Sequence, residues 1–269
     1  MRVLIRGAGD IASGIALRLY RSGMAVIMTD LPQPTAIRRT VCFSQAIVNG
    51  EVEVEDVTAV RAVSSSHAEE ILAEGKIPVL VDAEASCRAD LHPNVLVDAI
   101  LAKRNLGTTI SDAPIVIGIG PGFIAGADCH AVVETMRGHT LGRVIYDGPA
   151  MANTAIPGLI GGYAGERVLR APADGIFRQI LPIGARVKAG DIAGQVDGKD
   201  MVCTIDGVLR GILADGVPVH RGMKAGDVDP RCKEEYCYTA SDKALAVGGG
   251  VLEAILHLSL SRKERGHGE

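Results

Sequence analysis

The stretch Arg2-Val3-Leu4-Ile5-Arg6-Gly7-Ala8-Gly9-Asp10-Ile11-Ala12-Ser13-Gly14 decides how the chain reads. A short apolar strand runs into a glycine turn and then into the first turns of a helix. Gly7 permits the tight turn, Gly9 has no Cβ to keep a phosphate from the backbone, and Ala12 is small where helix meets strand. Backbone N–H groups and the helix dipole then face a bound anion. The candidate binding residues here are Gly7, Gly9, Asp10 and Ile11. A second apolar run, Ala25 to Thr29, ends in Asp30, where an acid can hold ribose hydroxyls. The alternative is a strand-to-helix turn that needs glycine for packing and binds nothing. Arg6 is unusual at a strand end, and reads either as a phosphate partner or as an exposed terminus.

Working outward, Pro114-Ile115-Val116-Ile117-Gly118-Ile119-Gly120-Pro121-Gly122-Phe123 repeats this logic. An apolar strand enters a loop of alternating glycines, so Gly118, Gly120, Gly122 and Phe123 are further candidates for cofactor binding. A helix is expected from Ala127 to Arg137, with Asp128 as its cap. On that helix His130, Glu134 and Arg137 share a face, and with His139 they form the candidate catalytic cluster. A solvated helix face explains the same pattern. A metal site of Asp128, His130 and Glu134 lacks the HExxH spacing, and no protein-bound metal is expected.

Between these motifs, Ala36 to Gly50 begins as a helix, Glu51 to Val63 reads as strand or loop, and Ser66 to Gly75 as a helix closed by its glycine. Ile77 to Asp82 reads as a buried strand. Asn94 to Asn105 is ambiguous between strand and helix. Gly142 to Gly165 is rich in Gly, Pro and Ala and marks a boundary. Asn153 and Thr154 there either reach a ligand or cap turns.

The second part holds an internal repeat. Asp174-Gly175, Gly184, Val187 and Gly190 recur at equal spacing as Asp206-Gly207, Gly216, Val219 and Gly222. Two such halves wrapped on each other resemble the biotinyl/lipoyl-type barrel. Lys199 lies between them, but Asp197-Gly198-Lys199-Asp200 lacks the Met-Lys-Met pattern of a modified hairpin and reads as an ordinary Asp-Gly turn. Cys232 and Cys237 read as two free thiols rather than a metal clip. A C-terminal helix starts after Ser241 and includes Gly248-Gly249-Gly250. Glycine is costly in a helix, so the run implies close approach to another backbone, with a third phosphate loop as the weaker alternative. Ser261 to Glu269 reads as a frayed, charged tail.

The expected fold is therefore α/β: a Rossmann-like parallel sheet domain over 1–165, a small β-barrel of two half repeats over 166–231, and a linker with a C-terminal helix over 232–269, packed back on the first domain. Composition agrees with small-residue α/β packing, with 33 glycines, no tryptophan and 3% aromatic residues. The net charge of −4 argues against nucleic acid as a partner. No leader is evident, and Ala244 to Leu260, the best apolar run, is broken by three glycines, Glu253 and His257. Neither membrane insertion nor secretion is expected. Six scattered cysteines fit a reducing, cytoplasmic setting.

The run Gly118 to Phe123 through Asp128, His130, Glu134, Arg137-Gly138-His139 and Leu141 to Ile145 resembles the selenium-dependent molybdenum hydroxylase accessory proteins, the YqeB family. So do Arg6 to Gly14, Arg170-Ala171-Pro172 to Gly175, and Lys243 to Leu256. The resemblance covers nearly the whole chain. It implies an accessory role in maturing a molybdenum cofactor, similar in concept to XdhC-type chaperones. A molybdopterin-type cofactor and a molybdenum hydroxylase or cofactor-maturation protein as partner follow from it. The residues alone also allow an NAD(P)-dependent oxidoreductase, favoured by Asp30, or a non-enzymatic scaffold. A homo-oligomer is open. Cys129, beside His130, is the best placed thiol for selenium or sulfur handling, and equally reads as a small buried residue.

Overall fold

The structure is a computed structural model that describes residues 1–266. It divides into two compact units, one of Met1–Pro32, Phe43–Asn153 and Ala240–Glu269, the other of Gln33–Cys42 and Thr154–Thr239.

The first unit opens with β1 (Arg2–Arg6), α1 (Asp10–Arg21) and β2 (Ala25–Asp30). After Phe43 come α2 (Gln45–Asn49), the hairpin β3 (Glu51–Val54) and β4 (Val57–Ala62), α3 (Ser65–Ala73), β5 (Ile77–Val81), α4 (Arg88–Leu91) and β6 (Val95–Asp98). Then follow β7 (Ile115–Ile119), β8 (Ile124–Ala125), β9 (Ala131–Val133), β10 (Val144–Ile145) and β11 (Gly148–Pro149). Nine of these strands form one sheet in the order β10-β9-β7-β6-β1-β2-β5-β4-β3, and β8 and β11 pair separately.

The seven central strands run parallel. Near-continuous apolar runs such as Val3-Leu4-Ile5 and Ile115-Val116-Ile117 suit a sheet buried on both faces. Alternation along β1 sends Leu4 into a cluster with Ile27, Leu80, Leu96 and Val116, closed by Ala68 and Ile71 of α3 and Leu91 of α4. Val3 and Ile5 point to the other face.

The second unit contains β12 (Val168–Arg170), β13 (Gly175–Gln179), β14 (Arg186–Val187), β15 (Ile192–Val196), β16 (Lys199–Val202), β17 (Gly207–Ile212), β18 (Pro218–Val219) and β19 (Lys224–Asp229). They form two antiparallel four-stranded sheets, β12-β19-β17-β14 and β16-β15-β13-β18. Residues 32 positions apart, such as Gly175 and Gly207 or Val187 and Val219, hold equivalent places, so each sheet maps strand for strand onto the other. Both sheets mix strands of the two halves, and Phe177, Val196, Leu209 and Val228 share one core. The Gln33–Cys42 segment belongs to this unit: the Ile37 carbonyl accepts from Ile212 N–H at 2.8 Å, and Arg39 Nε donates to the Ile212 carbonyl at 2.9 Å.

These topologies correct the expected fold class. The large sheet is mixed, not a parallel Rossmann-like sheet, because the β3–β4 hairpin and β10 add antiparallel edges. The second unit is two four-stranded sheets, not a small closed barrel. The helix expected over Ala127–Arg137 is absent; Ala131-Val132-Val133 instead extends the sheet beside β7. An apolar run of three, two of them β-branched valines, finds more burial as a strand than an isolated helix of that length would supply. Ala36–Gly50 holds only a short 3₁₀ turn at Arg39–Val41 and then α2.

The last helix, α5 (Asp242–Gly266), returns to the first unit and crosses α1. A Cβ on Gly248 would lie 2.8 Å from Arg18 Cγ and 2.9 Å from the Gly14 carbonyl, and one on Gly250 would lie 2.8 Å from Val133. Two glycines of the run are thus required by close approach. By length and composition alone Asp242–Ser261 is apolar enough to cross a membrane. Its residues Ala244, Val247, Val251, Ala254 and Ile255 are buried in the unit. The tail expected to fray from Ser261 is helical to Gly266, and its last residues, 267–269, lie outside the described residues.

Candidate functional site

In an open sheet with parallel strands, ligands bind beyond the carboxyl ends of the strands where the strand order reverses. Here the chain winds from β1 through β2 to β5 on one side and from β6 through β7 to β9 on the other, so the reversal lies between β1 and β6. The loop after β1 is the Gly7–Gly9 turn.

Gly7 adopts φ +104°, and a Cβ there would lie 3.0 Å from the Ala99 carbonyl after β6. Its N–H donates to the Thr29 carbonyl at 2.8 Å. The turn is tied down next by Asp30: one carboxylate oxygen accepts from Ala8 N–H at 2.8 Å and the other from Leu31 N–H at 2.7 Å. Burial raises the Asp30 carboxyl above its usual range, against the pull of these two donors. The sequence assigned Asp30 to a ribose; in the structure it first fixes the turn. Gly9 is the N-cap of α1, with φ −75° and ψ −171°, and no side chain caps the helix. A Cβ on Gly9 would meet nothing within 4 Å. The N–H groups of Gly9 and Ile11 take no hydrogen-bond partner among the described residues and can meet solvent or an anion. Asp10 opens the helix and Ile11 is buried beside it.

The second glycine loop is filled by the chain itself. A Cβ on Gly118 would strike Phe123, 2.7 Å from its Cβ; on Gly120, Thr135 Oγ1 at 2.6 Å; on Gly122, the Arg104 backbone at 2.6 Å. Phe123 is buried, and its ring covers Gly118. The Gly120 N–H donates to the Val133 carbonyl.

The four polar candidates do not converge. His130 immediately precedes β9, and its Nδ1 accepts from Val116 N–H at 3.0 Å. Glu134 is buried, its carboxylate taking N–H bonds from Thr135 and Met136 at 2.7 and 2.6 Å and from Met151 at 2.8 Å. Arg137 makes a two-pronged pair with Asp242 at 2.7 and 3.0 Å. His139 is exposed. Losing the helix removes the shared face that grouped them. No group of three or more metal-ligating side chains occurs among the described residues.

A cluster that sequence reading missed lies at the strand-order reversal. Arg6 and Asp98 end β1 and β6 in register. Arg6 is buried, neither exposed nor open to a phosphate. Its Nη1 reaches Asp98 Oδ2 at 3.3 Å, Thr108 Oγ1 at 3.0 Å and the Leu106 carbonyl at 3.1 Å, while Nε donates to the Ala83 carbonyl at 3.0 Å. Thr108 donates to Asp98 at 2.6 Å. One guanidinium thereby joins the loops after β5 and β6. The signal available in the sequence was an acid closing an apolar run, Val95-Leu96-Val97-Asp98, as at Asp30 and Asp82. Within the loop after β6, Leu101 and Lys103 hold left-handed φ of 61° and 63°, a conformation costly for side-chain-bearing residues.

The cysteines do not join the site as activated thiols. Burial pushes Cys129 up to about 11 and Cys87 up to about 12, the second helped by Asp82. Cys203 is pushed up to about 11 and Cys237 is raised as well, both by burial. Cys232 is exposed.

No protein-family model matches the chain. It is 52% identical over 256 residues to the Escherichia coli (strain K12) protein named Uncharacterized protein YqeB. That match takes in 95% of this chain and 47% of the relative, so the chain spans about half the length of the curated relative it matches. Among solved structures, it is similar to an aspartoacylase family protein of Mesorhizobium loti, at 12% identity over 84% of this chain and 83% of that one, with a TM-score of 0.26. It is also similar to the ectoine utilization protein EutE (DoeB) of Ruegeria pomeroyi, at 11% identity over 76% and 57% of the two chains, with a TM-score of 0.22. Similarity at this level leaves the strand topology as the basis for the fold.

Proposed function

We propose that this chain is an accessory factor in the maturation of a selenium-dependent molybdenum hydroxylase, and that it holds a molybdopterin-type dinucleotide by its phosphates at the Gly7–Ile11 turn. The observation that carries this reading is the contrast between Gly9 and the other loop glycines. Gly7, Gly118, Gly120 and Gly122 each have a neighbouring atom or a left-handed φ that forbids a side chain. Gly9 has neither. Its backbone suits any residue and the space around it is open. What glycine supplies there is unshielded access to the N-terminus of α1, the property that phosphate binding uses.

The residues present fit a phosphate. The Gly9 and Ile11 N–H groups would hold it, Gly7 and Asp30 keep the turn in place, and Arg6 with Asp98 fixes the neighbouring loops. When bound, the cofactor supplies the metal and pterin chemistry; the chain supplies binding and orientation. The protonated thiols of Cys129, Cys87 and Cys203 favour holding the cofactor over carrying selenium or sulfur covalently on those residues.

Isothermal calorimetry of the full chain with molybdopterin cytosine dinucleotide tests the reading, with saturable binding expected. No heat with this ligand, together with saturable NADH binding by fluorescence, would replace it with the oxidoreductase.

A further inference from the structure

The two halves of the second unit are built alike but covered differently. In one half the outward side chains of β17 are Val208 and Arg210, and both are buried, while Ile212, beyond a bulge between Leu209 and Gly211, turns into the core. The Gln33–Cys42 segment lies on this strand: a Cβ on Gly211 would meet the Ile37 carbonyl at 3.0 Å, and Ile212 N–H bonds to that same oxygen. Arg210 is neutralised there, with Nη1 3.0 Å from Asp229 and Nε 3.6 Å from Asp227.

The equivalent residues of the other half are Ile176 and Arg178 of β13, and together with Ile180 just past the strand they are bare. Ile176 is 52% exposed and Ile180 43%; on the same face the register partners Ile192 and Val202 are 38% and 45% exposed. The Arg178 guanidinium has no hydrogen-bond or ion-pair partner among the described residues. Gln195 stands where Asp227 stands in the covered half. Across the sheet, Arg178, Gln195 and Asp200 form one row in register, with a cation at one end and a carboxylate at the other. Gln195 Nε2 donates to one oxygen of Asp200 at 2.7 Å.

From this face we infer a two-fold dimer of the chain, packed through the outward surface of β13, β15 and β16. A two-fold axis along β15 at Gln195 lays Arg178 of each copy over Asp200 of the other. It also brings the four exposed aliphatic side chains of each copy against those of its mate. A two-fold interface must be complementary to itself, and a row with opposite charges about a central neutral residue meets that condition. A foreign acidic partner would answer Arg178 but leave Asp200 facing it.

The test is sedimentation velocity on the full chain and on three variants. The wild type is expected to approach twice the 28.1 kDa chain mass as concentration rises. Arg178→Asp alone and Asp200→Arg alone each place like charges together and should weaken self-association by at least ~10-fold. The double variant R178D/D200R exchanges the row end for end and should restore association to within about threefold of wild type. Circular dichroism checks folding, since both positions are on the surface. A wild type still monomeric at ~100 µM would overturn the inference, because a stable two-fold contact of ordinary size binds more tightly than this. So would a dimer indifferent to both charge reversals, which would have to use another face.

Discussion

Arg6 and Asp98 sit opposite each other at the carboxyl ends of two neighbouring parallel strands, and their buried side chains meet at 3.3 Å. The pair bridges the point where strand order reverses, so it holds the rim of the candidate site without facing a ligand. Removing one partner leaves the other charged in a dry setting. Asp98→Ala should cost about 3–5 kcal/mol of stability, with R6M/D98L losing less than the sum of its two single changes. Urea unfolding of the four proteins measures this, and strict additivity would show that the two groups are not coupled.

Gly9→Asp separates folding from binding. An aspartate at the N-cap, with the extended backbone already in place there, should stabilise α1 by about 0.5–1 kcal/mol. The same carboxylate occupies the first-turn donors and repels phosphate, so dinucleotide binding should disappear from the calorimetric titration. A variant that still binds with wild-type affinity would move the ligand away from this turn.

The glycines of α5 predict opposite outcomes one residue apart. Gly249 is exposed with nothing near its would-be Cβ, so Gly249→Ala should stabilise by about 0.5–1 kcal/mol through helix propensity. Gly250 abuts the Gly142 carbonyl and Val133, and Gly250→Ala should destabilise despite the same propensity gain. Thermal unfolding of both variants reads the two signs directly.

Acid should loosen the second unit through Asp229. Burial alone would raise this carboxyl, but hydrogen bonds from Arg231 and Arg210 hold it well below the ordinary range. A carboxyl depressed in the folded state adds stability above its unfolded value of about 3.9 and loses it as pH falls further. The melting temperature should therefore drop below about pH 4. Asp229→Asn, less stable at neutral pH, should show a shallower drop over the same range.

Thiol alkylation of the native chain at neutral pH should modify Cys232 first, since the other five cysteines are buried. Mass spectrometry after brief treatment with iodoacetamide checks this. Early labelling of Cys129 would show that it is more accessible than its 0% exposure indicates and would reopen a role for it in chalcogen transfer.

Local patterns carried a good part of this structure, and the reason is short range. Strand, turn and helix over Arg2–Arg21 follow from adjacent residues, as does the 32-residue spacing of Gly175 and Gly207, because each turn is specified by its own glycine. The 127–137 segment failed for the opposite reason. His130, Glu134 and Arg137 suit a helix by spacing, yet three intervening aliphatic residues gain more as a strand beside β7, a partner that local sequence does not reveal. The antiparallel edges, the pairing of Arg6 with Asp98 and the recruitment of Gln33–Cys42 into the second unit are contacts between distant positions, and only the fold brings them together. The same holds for function. From sequence, Gly7, Gly9, Gly118, Gly120 and Gly122 are alike; tertiary structure separates them, because a glycine demanded by a neighbouring atom differs from Gly9, whose surroundings are open.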